Sequence, residues 1–289
     1  MNAKTTVRTK KTGLFRYKAD RLPISLFLLY FALDVAVFFL VQNPLWVALW
    51  ALSTLLPKAC ICAWNHHQQH CATFRKPLLN RLLEVVYGLQ TGAIPFAWTL
   101  HHNMGHHMNY LDQKKDESRW ARKNGQVMGT HEYSFNVFIT AYPRILTVSK
   151  RFTKLRQQFL TWATITGLLL LAGFIHNPIN LTLLFLIPMA VGLYVTAWHT
   201  YYHHAGLYTD DHDDASYNVI HRWYNRLTGN LGYHTAHHQR MGLHWSALPE
   251  YHAKIAHRIP AELYKDPCIP FRWIGAAAWK PPETPPEQA

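Results

Sequence analysis

Thirteen of the twenty histidines in this 289-residue chain fall into four short clusters, and none precedes His66. The clusters are NHHQQH at 65–70, HHNMGHH at 101–107, HTYYHHAGL at 199–207 and GYHTAHH at 232–238. On a helix His66 and His70 share one face, four residues apart. His102, His106 and His107 are spaced HxxxHH, and His234, His237 and His238 are spaced HxxHH. Adjacent histidines on a helix point about 100° apart, so one such segment can serve two ions. Imidazole suits iron, copper, nickel and zinc, and each ion takes about four to six ligands. The clusters therefore offer enough donors for two ions. In the third cluster His199, His203 and His204 compete for one role, since His199 and His203 also share a helical face. His131, His176, His212, His252 and His257 read as ordinary surface or core residues. His221 and His244 lie close to the fourth cluster and are candidates for contacts behind the ligands. A helical zinc-protease HExxH and the Glu-x-x-His of soluble carboxylate-bridged centres are both absent. An all-histidine pair of ions carries excess positive charge, so carboxylates are expected behind the imidazoles. Asp112, Asp116, Glu117 and the run Asp210, Asp211, Asp213 and Asp214 follow clusters two and three; for that run a solvated loop is the competing reading. Cys60, Cys62, Cys71 and Cys268 form no CxxC pair, which argues against a thiolate site.

These clusters must be held by something apolar. Charged residues make up 16% of the chain, against roughly 25% in a soluble domain. Four apolar stretches, 24–41, 45–64, 159–175 and 179–198, approach the length of about 20 residues that spans a bilayer. Gln42-Asn43-Pro44 divides the first pair and His176-Asn177-Pro178 the second. The pattern predicts an all-α integral membrane protein with four transmembrane helices in two hairpins, and a cytoplasmic helical cap carrying the histidine boxes. Asp34 is expected to face the protein interior, and Pro188 to kink its span. A fifth stretch, 85–100, holds Gly88, Gly92 and Pro95 and reads as re-entrant or interfacial. Three regions follow: a basic N-terminal segment at 1–23, a membrane domain at 24–279 and a disordered Pro-rich tail at 280–289.

Lys4, Arg8, Lys10, Lys11, Arg16, Lys18 and Arg21 precede the first span, and both short connectors lack Lys and Arg. Under the positive-inside rule both termini and every histidine box are cytoplasmic. This orientation uses no information from histidine, yet it gathers all four clusters on one side. The net charge of +13 then belongs to a membrane face meeting anionic lipid, and no nucleic-acid role is needed.

The three boxes, His66/His70, His102/His106/His107 and His234/His237/His238, resemble those of the membrane fatty acid desaturase and hydroxylase superfamily over about residues 24–250. HNMGHH is also similar to the second box of alkane monooxygenases and HHAGL to their HYGL segment, which implies His204 as the further ligand. The resemblance implies two ferrous ions held by His66, His70, His102, His106, His107, His204, His234, His237 and His238. It implies dioxygen as co-substrate, two electrons, and oxidation of a long fatty acyl chain, with desaturation as the reaction expected. Decarboxylation to a terminal alkene and terminal hydroxylation are the enzymatic alternatives. Trp64, Phe96, Trp98, Trp198 and Tyr202 adjoin the boxes as tunnel-wall candidates, or else as an interfacial aromatic belt.

No Gly-x-Gly-x-x-Gly, rubredoxin-like cysteine pattern or haem-binding HPGG occurs. Electrons are thus expected from a separate ferredoxin, rubredoxin or cytochrome-type protein. A metal transporter would place histidines along a path within its spans, and here they lie at span ends. A zinc lipid hydrolase lacks an obvious nucleophile.

Overall fold

Asparagine and proline start the helices that follow both short connectors. In the computed structural model, which describes residues 13–275, Asn43 Oδ1 accepts from Leu45 N at 2.9 Å and Asn177 Oδ1 from Asn180 N at 3.0 Å. Pro44 and Pro178 take the first helical position, where a missing N–H costs nothing. The described residues are all-helical, with no strand beyond isolated bridges. The first twelve residues, the whole Pro-rich tail and the last residues assigned to the membrane domain lie outside them.

The first span is α1, Arg21–Leu40. The second, expected as one helix, is two: α2, Pro44–Ser53, and α3, Leu55–His70, bent by 53°. Pro57 explains the break, because its ring would clash with the carbonyl of Ser53 in a continuous helix. Thr54 seals the end of α2, its hydroxyl donating to the carbonyls of Trp50 and Ala51 at 2.9 and 3.0 Å. The third span is α6, Thr153–His176. The fourth is α7, Pro178–Leu181, a π-helical turn, Thr182–Leu186, and α8, Ile187–His204. The kink expected at Pro188 takes the form of that π turn. Among the described residues three helices are long and apolar enough to cross a membrane, and a fourth if the bent pair counts as one.

Asp34 is fully buried and faces Lys58 of α3, with Oδ2 3.0 Å from Nζ. Trp50 Nε1 donates to the other carboxylate oxygen at 2.9 Å. Lys58 Nζ also donates to Leu184 O at 2.8 Å. Proline at 188 has no N–H to offer the carbonyl four residues earlier, so Lys58 fills a vacancy that Pro188 creates.

The stretch at 85–100 is not among the helices long and apolar enough to cross a membrane. It belongs to α4, Pro77–Thr91, which stops at Gly92 with φ +80°. Gly92 and Gly192 let α4 touch α8: a Cβ at Gly92 would lie 2.3 Å from Met189 O, and one at Gly192 2.6 Å from Thr91 O. Past a turn the chain enters a second π-helical segment, Thr99–His107. The helix α5, Thr130–Ser149, packs along α8 and that segment. Three short helices follow: α9, Arg222–Thr228; α10, His234–Gln239; and α11, Leu248–Ile255. The basic segment before the first span is not free throughout, since Arg16 N donates to Thr73 O at 2.8 Å and His244 Nε2 lies 3.0 Å from Asp20 Oδ1.

Candidate metal centre

Four elements converge on one buried volume. The end of α3 contributes His66 and His70, the second π segment His102, His106 and His107, the end of α8 His204, and α10 His234, His237 and His238. The nitrogens of His66, His70, His102, His107 and His237 lie within 4.8 Å of one another. Those of His106, His204 and His238 form a second such group, and His234 Nε2 lies 3.0 Å from His204 Nε2. The π segment divides its own histidines. His102 and His107 join the first group, while His106, one position before His107 and so on a different face, turns to the second.

The donor atoms suit metal. His66 Nε2 stands 2.7 Å from His102 Nε2, and His107 Nε2 3.0 Å from His237 Nε2. Burial first, and then neighbouring histidines, hold His102, His107, His234, His237 and His238 well below the ordinary imidazole range. They are therefore neutral, the form that ligates. His66 Nδ1, His106 Nε2 and both ring nitrogens of His238 are buried without a hydrogen-bond partner. Buried polar atoms are ordinarily satisfied, and a cluster of acceptors facing one another calls for cations between them.

Outer contacts aim several of these rings. Asp116, almost fully buried, takes His106 Nδ1 on both oxygens at 2.9 and 3.0 Å and is itself held by Ser118 N at 2.7 Å. His106 Nε2 is thereby turned to the centre. His204 Nδ1 donates to Ala215 O at 3.0 Å, leaving Nε2 inward. His203 is committed on both sides, Nδ1 to Tyr217 O at 2.8 Å and Nε2 to Tyr224 Oη at 3.0 Å. His67 Nε2 donates to Thr228 O at 3.1 Å, and His199 Nδ1 lies 3.2 Å from Val195 O. His101 borders the cavity described below, with Nε2 unpartnered.

Of the carboxylates that follow clusters two and three, Asp116 bonds a box histidine. Asp112 pairs with Lys115, and Asp213 with Arg258. The acidic run thus takes the solvated-loop reading where it is exposed. His221 and His244 stand apart from the centre, His221 capping α9 and His244 between Asp20 and Ser246. Tyr110 was not anticipated: its ring centroid lies 4.3 Å from that of His238, and its hydroxyl bonds His212. It sits three residues past the second box, and nothing in its type or spacing marks it.

A narrow cavity of ≈ 60 Å³ runs from the histidines between α3 and α8, walled by small residues such as Ala59, Ala63, Ala197 and Thr200. Of the five aromatic wall candidates, Trp98 lines it. Trp64 instead donates to Leu227 O at 2.8 Å, and Phe96 packs with Ile94 and Ile145. Trp198 and Tyr202 line a separate cleft.

Residues 44–269 match the family model for fatty acid desaturase. That match covers most of the chain, which belongs to the fatty acid desaturase family. Searches of curated proteins and of solved structures found no match. Family membership identifies an oxidoreductase of the desaturase and hydroxylase type.

Proposed function

We propose that this chain is a membrane-bound di-iron enzyme that uses dioxygen and two electrons to desaturate a long fatty acyl chain. The observation that carries the reading is the pair of adjoining imidazole groups at the head of a cavity lined with small residues. His66, His70, His102, His107 and His237 would hold one ion, and His106, His204, His234 and His238 the other. Bound iron supplies the oxidising power that no side chain here possesses. The chain's own residues supply position and shelter. Asp116 and the carbonyl of Ala215 orient His106 and His204. Ala59, Ala63 and Ala197 leave room for methylenes between the helices.

In this reading the four spans form two hairpins, with both termini and the histidine-bearing cap in the cytoplasm. There a separate ferredoxin, rubredoxin or cytochrome-type protein delivers the electrons. The purified chain is expected to carry two irons. With dioxygen, a reductase and a small redox carrier it should oxidise an acyl chain, and NAD(P)H alone should support nothing. Mass spectrometry of the products separates an internal alkene from a terminal alkene or an alcohol. Zinc in place of iron, or turnover without dioxygen, overturns the reading; metal transport without oxidation would replace it with the transporter alternative.

Asp116 gives a finer test. Asn at 116 preserves shape but accepts less strongly from His106 Nδ1. Iron affinity in the second group should fall about 10–100-fold, read by chelator competition, while the fold persists. Unchanged iron retention would show that Asp116 does not support the centre.

A further inference from the structure

Lys265 is a half-buried cation with no carboxylate in ion-pair distance among the described residues. Its Nζ lies 3.1 Å from the ring centroid of Tyr217 and 5.3 Å from that of Tyr202, and Tyr202 O accepts from it at 3.4 Å. Burial lowers its pKa to about 8. It shares an open cleft with Trp198, Tyr202, Cys268 and Arg272. Asp266 stands beside it, but that carboxylate pairs with Arg272 at 3.4 Å. A desolvated ammonium without a counter-ion is unfavourable until an anion meets it.

The cleft is tied to the metal centre. Lys265 N donates to Asn218 O at 2.8 Å, and the Asn218 side chain bonds Thr235, next to His234, through Nδ2 at 2.8 Å and Oδ1 at 3.1 Å. Trp198 and Tyr202 stack at 5.3 Å on α8, and Thr200 and His203 of the same helix line the cavity. Cys60, adjacent to the cavity residue Ala59, packs in one cluster with Tyr202 and Cys268. Cleft and cavity thus share α8, with Cys60 of α3 packed beside the cleft residues.

We propose that this cleft binds the oxyanion head of the substrate, a carboxylate or a phosphate, with Lys265 as the main cation and Arg272 as the second. The acyl chain passes Tyr202 between α3 and α8 into the cavity. This rests on the reading of the chain as an acyl-chain oxidase, and it adds the head-group class and the residues that select it.

Equilibrium binding of radiolabelled palmitate and of the corresponding fatty alcohol tests it, using the full chain in phosphatidylcholine nanodiscs. Lys265→Gln should weaken palmitate binding about ten-fold or more and leave the alcohol unchanged. Lys265→Arg should retain palmitate binding, which shows that the fold tolerates change at this position. Unchanged palmitate affinity in the Gln variant, or equal loss for acid and alcohol, overturns the proposal. Phosphatidylglycerol in the discs then separates the two anions. Competition with palmitate in the native chain but not in Lys265→Gln assigns the cleft to phosphate as well, and no competition restricts it to carboxylate. Binding is read without turnover. A chain that oxidises acyl substrates but shows no Lys265 effect loses the head-group site and keeps the reaction. The reverse result keeps the site and loses the reaction.

Discussion

Alanine at His204 is expected to remove iron from the second histidine group and nearly all turnover, whereas alanine at His203 leaves both irons in place. The two residues are adjacent on α8, and spacing alone leaves their roles open, although the HHAGL resemblance favours His204. Their hydrogen bonds separate them. His204 spends Nδ1 on Ala215 O and keeps Nε2 for the group containing His106, His234 and His238. His203 spends both nitrogens on Tyr217 O and Tyr224 Oη. Losing His203 leaves two polar groups without a partner in a buried region, which costs about 1–3 kcal/mol each at most. Its variant should therefore melt earlier and slow by no more than about 10–100-fold, with full iron. Iron per chain and thermal midpoint, measured on both variants, decide the matter. Full iron in His204→Ala with loss in His203→Ala would reverse the assignment.

How much of this was legible beforehand depends on the scale of the signal. The Asn-Pro connectors announced both helix starts, because capping is local chemistry. The eight box histidines and His204 meet, because the spacing within each box sets its histidines toward a shared volume. What escaped were features that need a neighbour to exist. Pro57 is visible in the sequence, but the 53° bend it causes is reported only by the fold. Lys58 lies inside an apolar stretch, and only the fold brings Asp34 beside it. The helix α5 carries Pro143 and Arg144 and has Phe135 and Ile139 exposed opposite the buried Val137 and Ala141, so neither a clean amphipathic stripe nor a membrane span announced it. Of the aromatic wall candidates Trp98 lines the cavity, whereas Trp64 turns to Leu227 O, because standing next to a box histidine does not fix which way a side chain faces. The π winding of Thr99–His107 has no simple sequence mark at all.

The buried pair of Asp34 and Lys58 should give the largest stability effects away from the histidines. Lys58→Met leaves a carboxylate in an apolar interior with Trp50 as its remaining hydrogen-bond donor, and a loss of about 3–5 kcal/mol is expected. Asp34→Leu strands the ammonium and should lose a similar amount. The double variant Asp34→Leu/Lys58→Met removes both charges, so most of that loss should return. It should not all return, because Leu184 O takes its hydrogen bond from Lys58 Nζ and would now be orphaned, at about 1–3 kcal/mol. Pro188 is the cause of that vacancy. Adding Pro188→Ala to the double variant restores an N–H four residues beyond Leu184 and should recover the remainder as the π turn relaxes. Denaturation midpoints in detergent micelles for the two single, the double and the triple variant measure each step. A Lys58→Met chain as stable as the native one, or a double variant no better than either single, would show that the ion pair does not lock α1, α3 and the π turn together.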